Sequence, residues 1–358
     1  MTADAAAPDV LDELRATVRS FAQHLGGTQL ARRAIESPTP GFDPDAWRLL
    51  CEQLGIATLG LPEDLGGVGG LRELVAVAEV FGESLLAIPF FGSTVLAGQV
   101  LARCGDAAHS TLEKMSEGTI CALATSPPFG GQPQLSLVTD GTVSGHVPTV
   151  INAPEADVLI AVTAEAVVRV DLPDPGCEVT RLRTLDLTRS IGSVTLRNAA
   201  CTILHPVDHA AVVRPALEMA ALALAAEQLG GSQACLSMTV DYVKERRQFS
   251  RTIGSFQAIK HTLADVLIKI ELARSALSRA LEVESDGPRF AEAAAVARIW
   301  CNEAYRFASA EAIQLHGGIG FTWEHDAHLY FRRARSDAQL LGNTADWREH
   351  LAQTLQWA

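Results

Sequence analysis

The feature that most constrains the fold is a block of short β-branched segments between two longer helical stretches. From about residue 120 to residue 206, runs rich in Val, Ile and Thr alternate with Gly, Pro and Asp, a pattern typical of strands and turns. The strands predicted from these runs are Val158–Val162, Ala166–Asp171, Glu178–Leu182, Ser193–Arg197 and Cys201–Leu204. Because no helical segment separates the runs, they predict an antiparallel β-domain rather than βαβ units.

Apolar residues recur at a helical period on both sides of this block. In the first third, Val10–Leu25 predicts one helix, and Asp43-Pro44 predicts the capped start of another. In the last third, one long helix is followed by another, Arg289–Ile313, which is rich in Ala. The apolar seam of that first helix is formed by Ile259, Leu263, Val266, Ile270, Leu277 and Leu281. Long helices without breakers are expected to pack as an antiparallel bundle.

The charge and hydropathy of the chain exclude several classes of function. A formal net charge of −13 and an isoelectric point near 5.2 argue against binding to nucleic acid, which needs basic residues to neutralise phosphates. No run of about 20 uncharged apolar residues occurs, and Met1–Pro8 lacks the basic and apolar regions of a secretory signal. We therefore expect a cytoplasmic protein with no membrane segment.

The cysteines and histidines predict neither a disulfide framework nor a metal site. Seven cysteines lie singly along the chain without a Cys-x-x-Cys pair, which fits a reducing compartment. His316, His325 and His328 lie near one another in sequence, but without carboxylates or cysteines at metal-ligand spacing. We interpret them as local hydrogen-bonding residues.

Two segments of the last third carry specific motifs. The first is Tyr242-Val-Lys-Glu-Arg246-Arg-Gln-Phe249-Ser-Arg-Thr-Ile253-Gly254-Ser-Phe-Gln257, and the second is Gln314-Leu-His-Gly317-Gly318-Ile-Gly320-Phe321. Both resemble signatures of the acyl-CoA dehydrogenase family, although Ser250 stands where the family usually has Gly. The early loop Gly60-Leu-Pro-Glu-Asp-Leu-Gly66-Gly67 is similar to the N-terminal loop of the same family. The resemblance covers nearly the whole chain.

The resemblance implies an α+β, acyl-CoA dehydrogenase-like fold. Its parts are an N-terminal helical domain over residues 1–118, a middle antiparallel, barrel-like β-domain over 119–207, and a C-terminal four-helix bundle over 208–358. The last domain would contact the adenosine-diphosphate part of FAD held mainly by a neighbouring subunit. The cofactor-binding residues predicted in this way are Arg246, Phe249, Gln257, Gln314, Leu315, Gly317 and Gly318, with Thr125 from the middle domain.

The types of these residues agree with such a role. Arg246 is a planar cation that suits a diphosphate, Gln257 can donate and accept hydrogen bonds, and the pair Gly317-Gly318 allows close approach to the backbone. Arg246 could instead pair with a carboxylate on its helix, and the two glycines could simply end a helix.

The middle domain departs from the family where other members hold the flavin ring. In Ala124–Gly131, which aligns with a Thr/Ser-Glu-Pro-x-x-Gly-Ser element, Thr125 is kept and Ser126 replaces the acid. A Trp-x-Thr-Asn element aligns with Thr149-Val-Ile-Asn, so Ile151, which cannot donate a hydrogen bond, replaces the hydroxyl. Misalignment of variable loops is the alternative explanation of these losses.

The catalytic base is also missing from its usual positions. Removal of the α-proton from an acyl thioester needs a carboxylate within hydrogen-bond reach. Leu341 occupies the position where most members have Glu, and Ala220 occupies the alternative position. Glu218 and Glu227 lie on the same helix as Ala220, but Glu218 points to another face and Glu227 lies about 10 Å further along. The catalytic residue therefore stays unknown, with Glu227 as a candidate.

Three functions remain open. The chain could be a self-sufficient FAD-dependent acyl-CoA dehydrogenase with a relocated base, or an acyl-CoA-binding protein of the same fold. It could also be a partner subunit that completes the FAD site of a homologous catalytic chain, as in heterotetrameric actinobacterial enzymes that degrade bulky CoA thioesters such as steroid side chains. We favour the partner subunit, because the residues that reach across an interface are kept while the ring and base residues are lost. The family further implies β-oxidation of an acyl-CoA and electron delivery to an electron-transfer flavoprotein.

Overall fold

The computed structural model describes residues 8–37, 41–126, 134–138, 141–206, 209–284 and 287–356. It divides into two compact units. One consists of Met1–Gln29, Val75–Leu86 and Ala221–Ala358, and the other of Leu30–Leu74 and Ala87–Ala220. The predicted order of helices, then strands, then helices is confirmed, whereas the domain boundaries at residues 118 and 207 stay predictions.

The helices occupy both ends of the chain, as the apolar periodicity predicts. In chain order they are α1 Pro8–His24, α2 Thr28–Glu36, α3 Pro44–Leu54, α4 Leu71–Ser84, α5 Gln99–Leu101, α6 His109–Ser116, α7 Arg214–Glu245, α8 Gln257–Glu282, α9 Gly287–His316, α10 Ala327–Asp337 and α11 Thr344–Thr354. A π-helical segment, Phe91–Gly98, leads into α5.

The cap predicted at Asp43 is present. Its side chain accepts hydrogen bonds from the main-chain N–H groups of Asp45 and Ala46, at 3.0 and 3.1 Å. These are two of the donors that a helix start leaves without an intrahelical partner. At the other end of α3, Gly55 adopts a left-handed conformation with φ 61°.

The strands form two four-stranded sheets in the second unit. Their bounds are β1 Cys121–Ala124, β2 Leu135–Val138, β3 Thr142–Ile151, β4 Val158–Val162, β5 Ala166–Asp171, β6 Cys177–Arg181, β7 Ile191–Ala200 and β8 Thr202–Pro206. The orders are β1-β4-β5-β8 and β2-β3-β7-β6. Among the described strands, one pairing departs from the predicted antiparallel arrangement: β1 and β4 are parallel, and the chain reaches β4 from β1 through β2 and β3 of the other sheet.

In the first unit, the long helices pack through apolar and small residues. The predicted seam of α8 is buried at Val266, Ile270 and Leu277, and α8, α10 and α11 all contact α9. The helices α4 and α7 touch through their backbones. A Cβ on Gly82 would lie 2.0 Å from Glu227 O, and a Cβ on Gly230 would lie 1.9 Å from Glu79 O. Only glycine fits this crossing.

The described residues contain neither a membrane-spanning helix nor a cluster of metal-ligating side chains. None of the helices among them combines the length and apolarity that crossing a bilayer requires. Within the same residues, no group of three or more His, Cys, Asp or Glu side chains is arranged to hold a metal ion.

Candidate functional site

Arg246 lies directly after the last residue of α7 and before a small hairpin. Its main-chain N–H donates to Tyr242 O at 2.9 Å, and its carbonyl accepts from Ile253 N at 2.8 Å. The hairpin consists of β9 Arg247–Gln248 and β10 Arg251–Thr252, which pair antiparallel. Arg246 therefore presents an exposed guanidinium from a backbone that is fixed on both sides.

The turn of this hairpin holds two residues in the left-handed region. Phe249 has φ 51° and Ser250 has φ 65°, the combination that a two-residue hairpin turn requires. Glycine is favoured at such a position, which agrees with the Gly that the family motif usually has where this chain has Ser250. The Phe249 side chain is 87% exposed, an unusual state for an aromatic ring in an isolated chain.

The segment Gln314–Gly318 ends α9 and turns the chain. Gln314 is exposed, Leu315 is half-buried, and His316 is the last helical residue. Gly317 has φ 65°, and a Cβ on either Gly317 or Gly318 would meet no atom within 4 Å. The peptide groups around these glycines are therefore open to a ligand. The alternative that the glycines end the helix also holds, since the left-handed Gly317 lies where helices commonly stop.

Tyr242 connects the two segments. Its hydroxyl donates to His316 O at 3.3 Å, and its ring stacks on the His316 ring with centroids 4.3 Å apart. The carbonyl of the same tyrosine accepts from the N–H of Arg246. The end of α7 thus holds both Arg246 and the peptide that precedes Gly317.

Gln257 is tied to the same end of α7. It is the exposed first residue of α8 and follows the tight turn Ile253–Ser255. A Cβ on Gly254 would lie 2.9 Å from Val243 O, so this turn packs closely on the last turns of α7. The structure therefore arranges Arg246, Gln257 and Gly317 around a shared support.

The middle β-structure contains the positions that the sequence predicts to lie at the flavin ring. Thr125 follows β1 and is half-buried, whereas Pro127–Gly131 of the predicted ring-binding segment lies outside the described residues. Thr149 is exposed beside a bulge in β3, and Ile151 is buried in the sheet opposite Ile191. Asn152 is buried with φ 58°, and its N–H donates to Ser190 O. Ile151 thus places no hydroxyl at the position where the family has one.

The two usual positions of the base carry apolar side chains held in place by their surroundings. Ala220 is completely buried within α7. Leu341 is half-buried with φ 56°, and its carbonyl accepts from Trp347 Nε1 at 2.9 Å. Neither position can bind a proton.

The two neighbouring glutamates differ in their surroundings. Glu227 is 7% exposed, and its carboxylate accepts a hydrogen bond from the buried Arg333. Glu218 is half-buried. Burial raises the pKa of the Glu218 carboxyl above its usual value, while Arg214 and Arg103 oppose the shift. Glu227 thus has the surroundings of a structural ion pair, and Glu218 those of a carboxyl that can hold a proton.

Comparison with known proteins places this architecture. The family profile "Acyl-CoA dehydrogenase, N-terminal domain" matches residues 8–119, and "Acyl-CoA dehydrogenase, C-terminal domain" matches residues 210–356. The acyl-CoA dehydrogenase IpdE2 of Mycolicibacterium smegmatis is 38% identical over 334 residues, which cover 92% of this chain and 93% of that protein. The chain belongs to the acyl-CoA dehydrogenase family.

Other members of the family are similar over the same extent. IpdE2 of Mycobacterium tuberculosis is 36% identical over 93% of each chain. Among solved structures, the Tcur3481-Tcur3483 steroid acyl-CoA dehydrogenase variant has a TM-score of 0.87 at 29% identity, covering 98% of each chain. The ChsE4-ChsE5 complex of Mycobacterium tuberculosis has a TM-score of 0.84 at 29% identity, covering 99% of this chain and 100% of that one.

Members of the acyl-CoA dehydrogenase family depend on FAD, and the residues of this chain fit one part of that cofactor. The open backbone at Gly317-Gly318 and the exposed Arg246 and Phe249 suit an adenosine diphosphate. The described residues of the middle sheet fit the flavin ring less well, because Ile151 and the exposed Thr149 replace a hydroxyl and an indole.

Sequence reasoning missed the polar network that fixes the Leu341 segment. The buried Arg298 donates to Gln228 Oε1 at 2.8 Å, to Asp337 O at 2.6 Å and to Leu340 O at 2.9 Å. Burial lowers the pKa of Arg298 to about 10. The available signal was Arg298 and Asn302, two polar residues one helical turn apart among the alanines of α9.

Proposed function

We propose that this chain is a subunit of a two-component FAD-dependent acyl-CoA dehydrogenase. It supplies the residues that bind the adenosine-diphosphate part of FAD, while a homologous chain holds the flavin ring and the base. The observation that carries the proposal is the contrast between the two halves of the site. Arg246, Gln257 and Gly317 are exposed and share one support, whereas Ala220, Leu341 and Ile151 lack the groups that the chemistry needs.

Each exposed residue has a definite task in this proposal. Arg246 neutralises the diphosphate through its planar guanidinium. The peptide groups at Gly317 and Gly318 approach the cofactor without side chains between them, and Gln257 binds polar groups of the same half through its amide. The chemistry that FAD supplies when bound is acceptance of the hydride that leaves the β-carbon of the acyl thioester.

The α-proton has to be removed by another chain in this proposal. At pH 7 a base needs a carboxylate or imidazole within hydrogen-bond reach of that proton. In this chain, the side chains at Ala220 and Leu341 are hydrocarbon. The carboxylate of Glu227 is stabilised in its charged form by Arg333. A homologous subunit with a glutamate at either position completes the reaction.

The proposed substrate is a bulky acyl-CoA of steroid or fatty-acid β-oxidation, with an electron-transfer flavoprotein as the electron acceptor. The support is the steroid acyl-CoA dehydrogenase and the ChsE4-ChsE5 complex among the similar structures. Both names describe assemblies of two different chains, which is the arrangement that an incomplete site requires.

The proposal is tested by purifying the chain alone and with the partner that co-purifies from its native cells. We expect the complex to contain FAD and to oxidise an acyl-CoA with an artificial electron acceptor, and the chain alone to do neither. The Arg246→Ala variant should lower the FAD content of the complex, whereas Arg279→Ala should not. Arg279 is a matched control, because it is an exposed arginine whose partner Glu282 lies on its own helix. Stoichiometric FAD and turnover in the chain alone would contradict the proposal.

One observation favours a second candidate function, a self-sufficient dehydrogenase. Glu218 is half-buried with a raised pKa, and perturbed carboxyls of this kind concentrate at active sites. The variant Glu218→Gln distinguishes the two functions. Under our proposal, turnover by the complex changes less than about twofold. Under the alternative, it falls about a hundredfold or more, as for loss of a general base.

A further inference from the structure

Three aromatic rings lie in contact beneath the turn that contains Gly317 and Gly318. The His316 ring stacks on Tyr242 with centroids 4.3 Å apart and an interplanar angle of 28°. The His325 ring lies against His316 at 4.3 Å with an angle of 51°. The three residues come from the end of α7, the end of α9 and the segment before α10. The stack therefore joins the ends of two long helices to the segment that precedes α10.

The hydrogen bonds of the two histidines fix the roles of their Nδ1 atoms. His316 Nδ1 lies 2.7 Å from Ala312 O, and since a carbonyl can only accept, Nδ1 is the donor. His316 Nε2 is buried and has no hydrogen-bond partner among the described residues. His325 Nδ1 accepts from the N–H of Ala327 at 3.1 Å. Both rings are therefore held in one orientation.

Tyr242 adds a bond from the stack to the backbone. Its hydroxyl donates to His316 O, a carbonyl in the last turn of α9, where the helix itself leaves acceptors unused. The His316 carbonyl and the Gly317 N–H belong to one planar peptide group. Holding the carbonyl thus sets the direction of the Gly317 N–H.

The same tyrosine also holds Arg246. The carbonyl of Tyr242 accepts from Arg246 N at 2.9 Å, the final turn of α7. Tyr242 therefore fixes the backbone of Arg246 through its main-chain carbonyl, and the backbone of the turn at Gly317 through its side-chain hydroxyl.

We infer that Tyr242 is a positioning residue for the FAD half-site, which holds Arg246 and Gly317 in register, with His316 and His325 as the stacked support of its ring. This inference rests on the proposed function. It assigns a role to His316 and His325, which the sequence predicts only as local hydrogen-bonding residues. The cofactor touches Arg246 and the glycines, and Tyr242 acts through them.

The test compares Tyr242→Phe with Tyr330→Phe. Each variant loses one tyrosine hydroxyl that donates to a backbone carbonyl, His316 O for Tyr242 and Glu83 O for Tyr330. Titration of the FAD-free complex with FAD should give a dissociation constant roughly three- to tenfold higher for Tyr242→Phe, the effect of one lost hydrogen bond. It should be unchanged for Tyr330→Phe. The variant Tyr242→Leu, which also loses the stacking, should weaken binding further.

A second readout does not involve FAD. Amide hydrogen exchange, followed by mass spectrometry on the complex without FAD, should be faster at residues 316–321 in Tyr242→Phe and unchanged there in Tyr330→Phe. A protein that responds equally to both variants in both measurements would overturn the inference. If Arg246→Ala also leaves FAD binding unchanged, the proposed function itself fails. If Arg246→Ala weakens FAD binding and Tyr242→Phe does not, only the positioning role is wrong.

Discussion

Arg333 on α10 donates a hydrogen bond to the carboxylate of Glu227 on α7, and the two side chains are only 4% and 9% exposed. A carboxylate in this setting keeps its charge, because the guanidinium stabilises the ionised form. Removing either partner takes this counter-charge away from a charge that is buried in the protein. This ion pair therefore gives Glu227 a structural role that does not involve catalysis.

The first prediction concerns this pair. The Glu227→Ala variant should lose about 3 kcal/mol or more of unfolding free energy, because Arg333 remains buried without this counter-charge. The measurement is urea unfolding of the wild-type and variant chains. A double variant, Glu227→Met with Arg333→Met, should recover much of that loss, since apolar side chains of similar size replace both charges.

The double variant also separates structure from catalysis. Under our proposal, the complex that contains it should turn over acyl-CoA at close to the wild-type rate per bound FAD. If turnover collapses while the unfolding free energy recovers, Glu227 is the base and the ion-pair interpretation is wrong.

Much of the fold could be predicted from local sequence signals. Strands β4 and β5 coincide with the predicted Val158–Val162 and Ala166–Asp171, because strictly apolar or alternating runs between turn residues have few other solutions. Asp43 predicts the start of α3 because its side chain satisfies donors within three residues. The parallel pairing of β1 with β4 depends on contacts between distant segments, which no local pattern contains.

The candidate site could also be predicted only in part from local sequence signals. The motifs predict Arg246, Gln257 and Gly317 as a set, but not the support beneath them, since the Tyr242–His316 bond joins residues 74 positions apart. The Gly82–Gly230 crossing and the Arg298 network are likewise contacts between helices. A glycine inside a helix is visible in sequence, but its partner is not.

The second prediction concerns the hairpin turn. Ser250 has φ 65°, a conformation that costs a non-glycine residue about 1 kcal/mol. The Ser250→Gly variant should raise the unfolding free energy by roughly 0.5 kcal/mol, since the relief of strain exceeds the added freedom of the unfolded chain. Ser255→Gly is the control, because Ser255 lies in the neighbouring turn without a positive φ and donates to Thr252 O. Thermal unfolding should show a gain for the first variant and a loss for the second, and a loss for both would contradict the strain argument.

The third prediction concerns acid pH. Burial lowers the pKa of His316 below 6.5, so the unfolded chain takes up a proton at this residue before the folded chain does. Stability is fully present above pH 6.5 and should fall as the pH drops from there toward the lowered pKa. Glu218 acts with the opposite sign, because its pKa is raised by burial, so that above its usual pKa of 4.5 the folded chain retains a proton that the unfolded chain has released. The test subtracts the pH dependence of a His316→Gln variant from that of the wild type between pH 7.5 and 5. A difference that does not vary with pH would contradict the prediction.

The fourth prediction concerns the crossing of α4 and α7. A methyl group on Gly230 would lie 1.9 Å from Glu79 O, an acceptor on a rigid helix backbone, so the helices have to separate before alanine fits. Glu79 accepts from Arg15 and Arg274, so that separation would also strain two ion pairs. We expect Gly230→Ala to lower the unfolding free energy by about 3 kcal/mol, the upper part of the range for overpacking.

A matched substitution isolates the steric effect. Gly287 begins α9, and a Cβ there would meet no atom within 4 Å. The Gly287→Ala variant should therefore be neutral or slightly stabilising, because alanine is the better helix former. Urea unfolding of both variants separates the steric cost of the added methyl group from its favourable effect on helix propensity. If Gly230→Ala is as stable as Gly287→Ala, the two helices are not in backbone contact in solution.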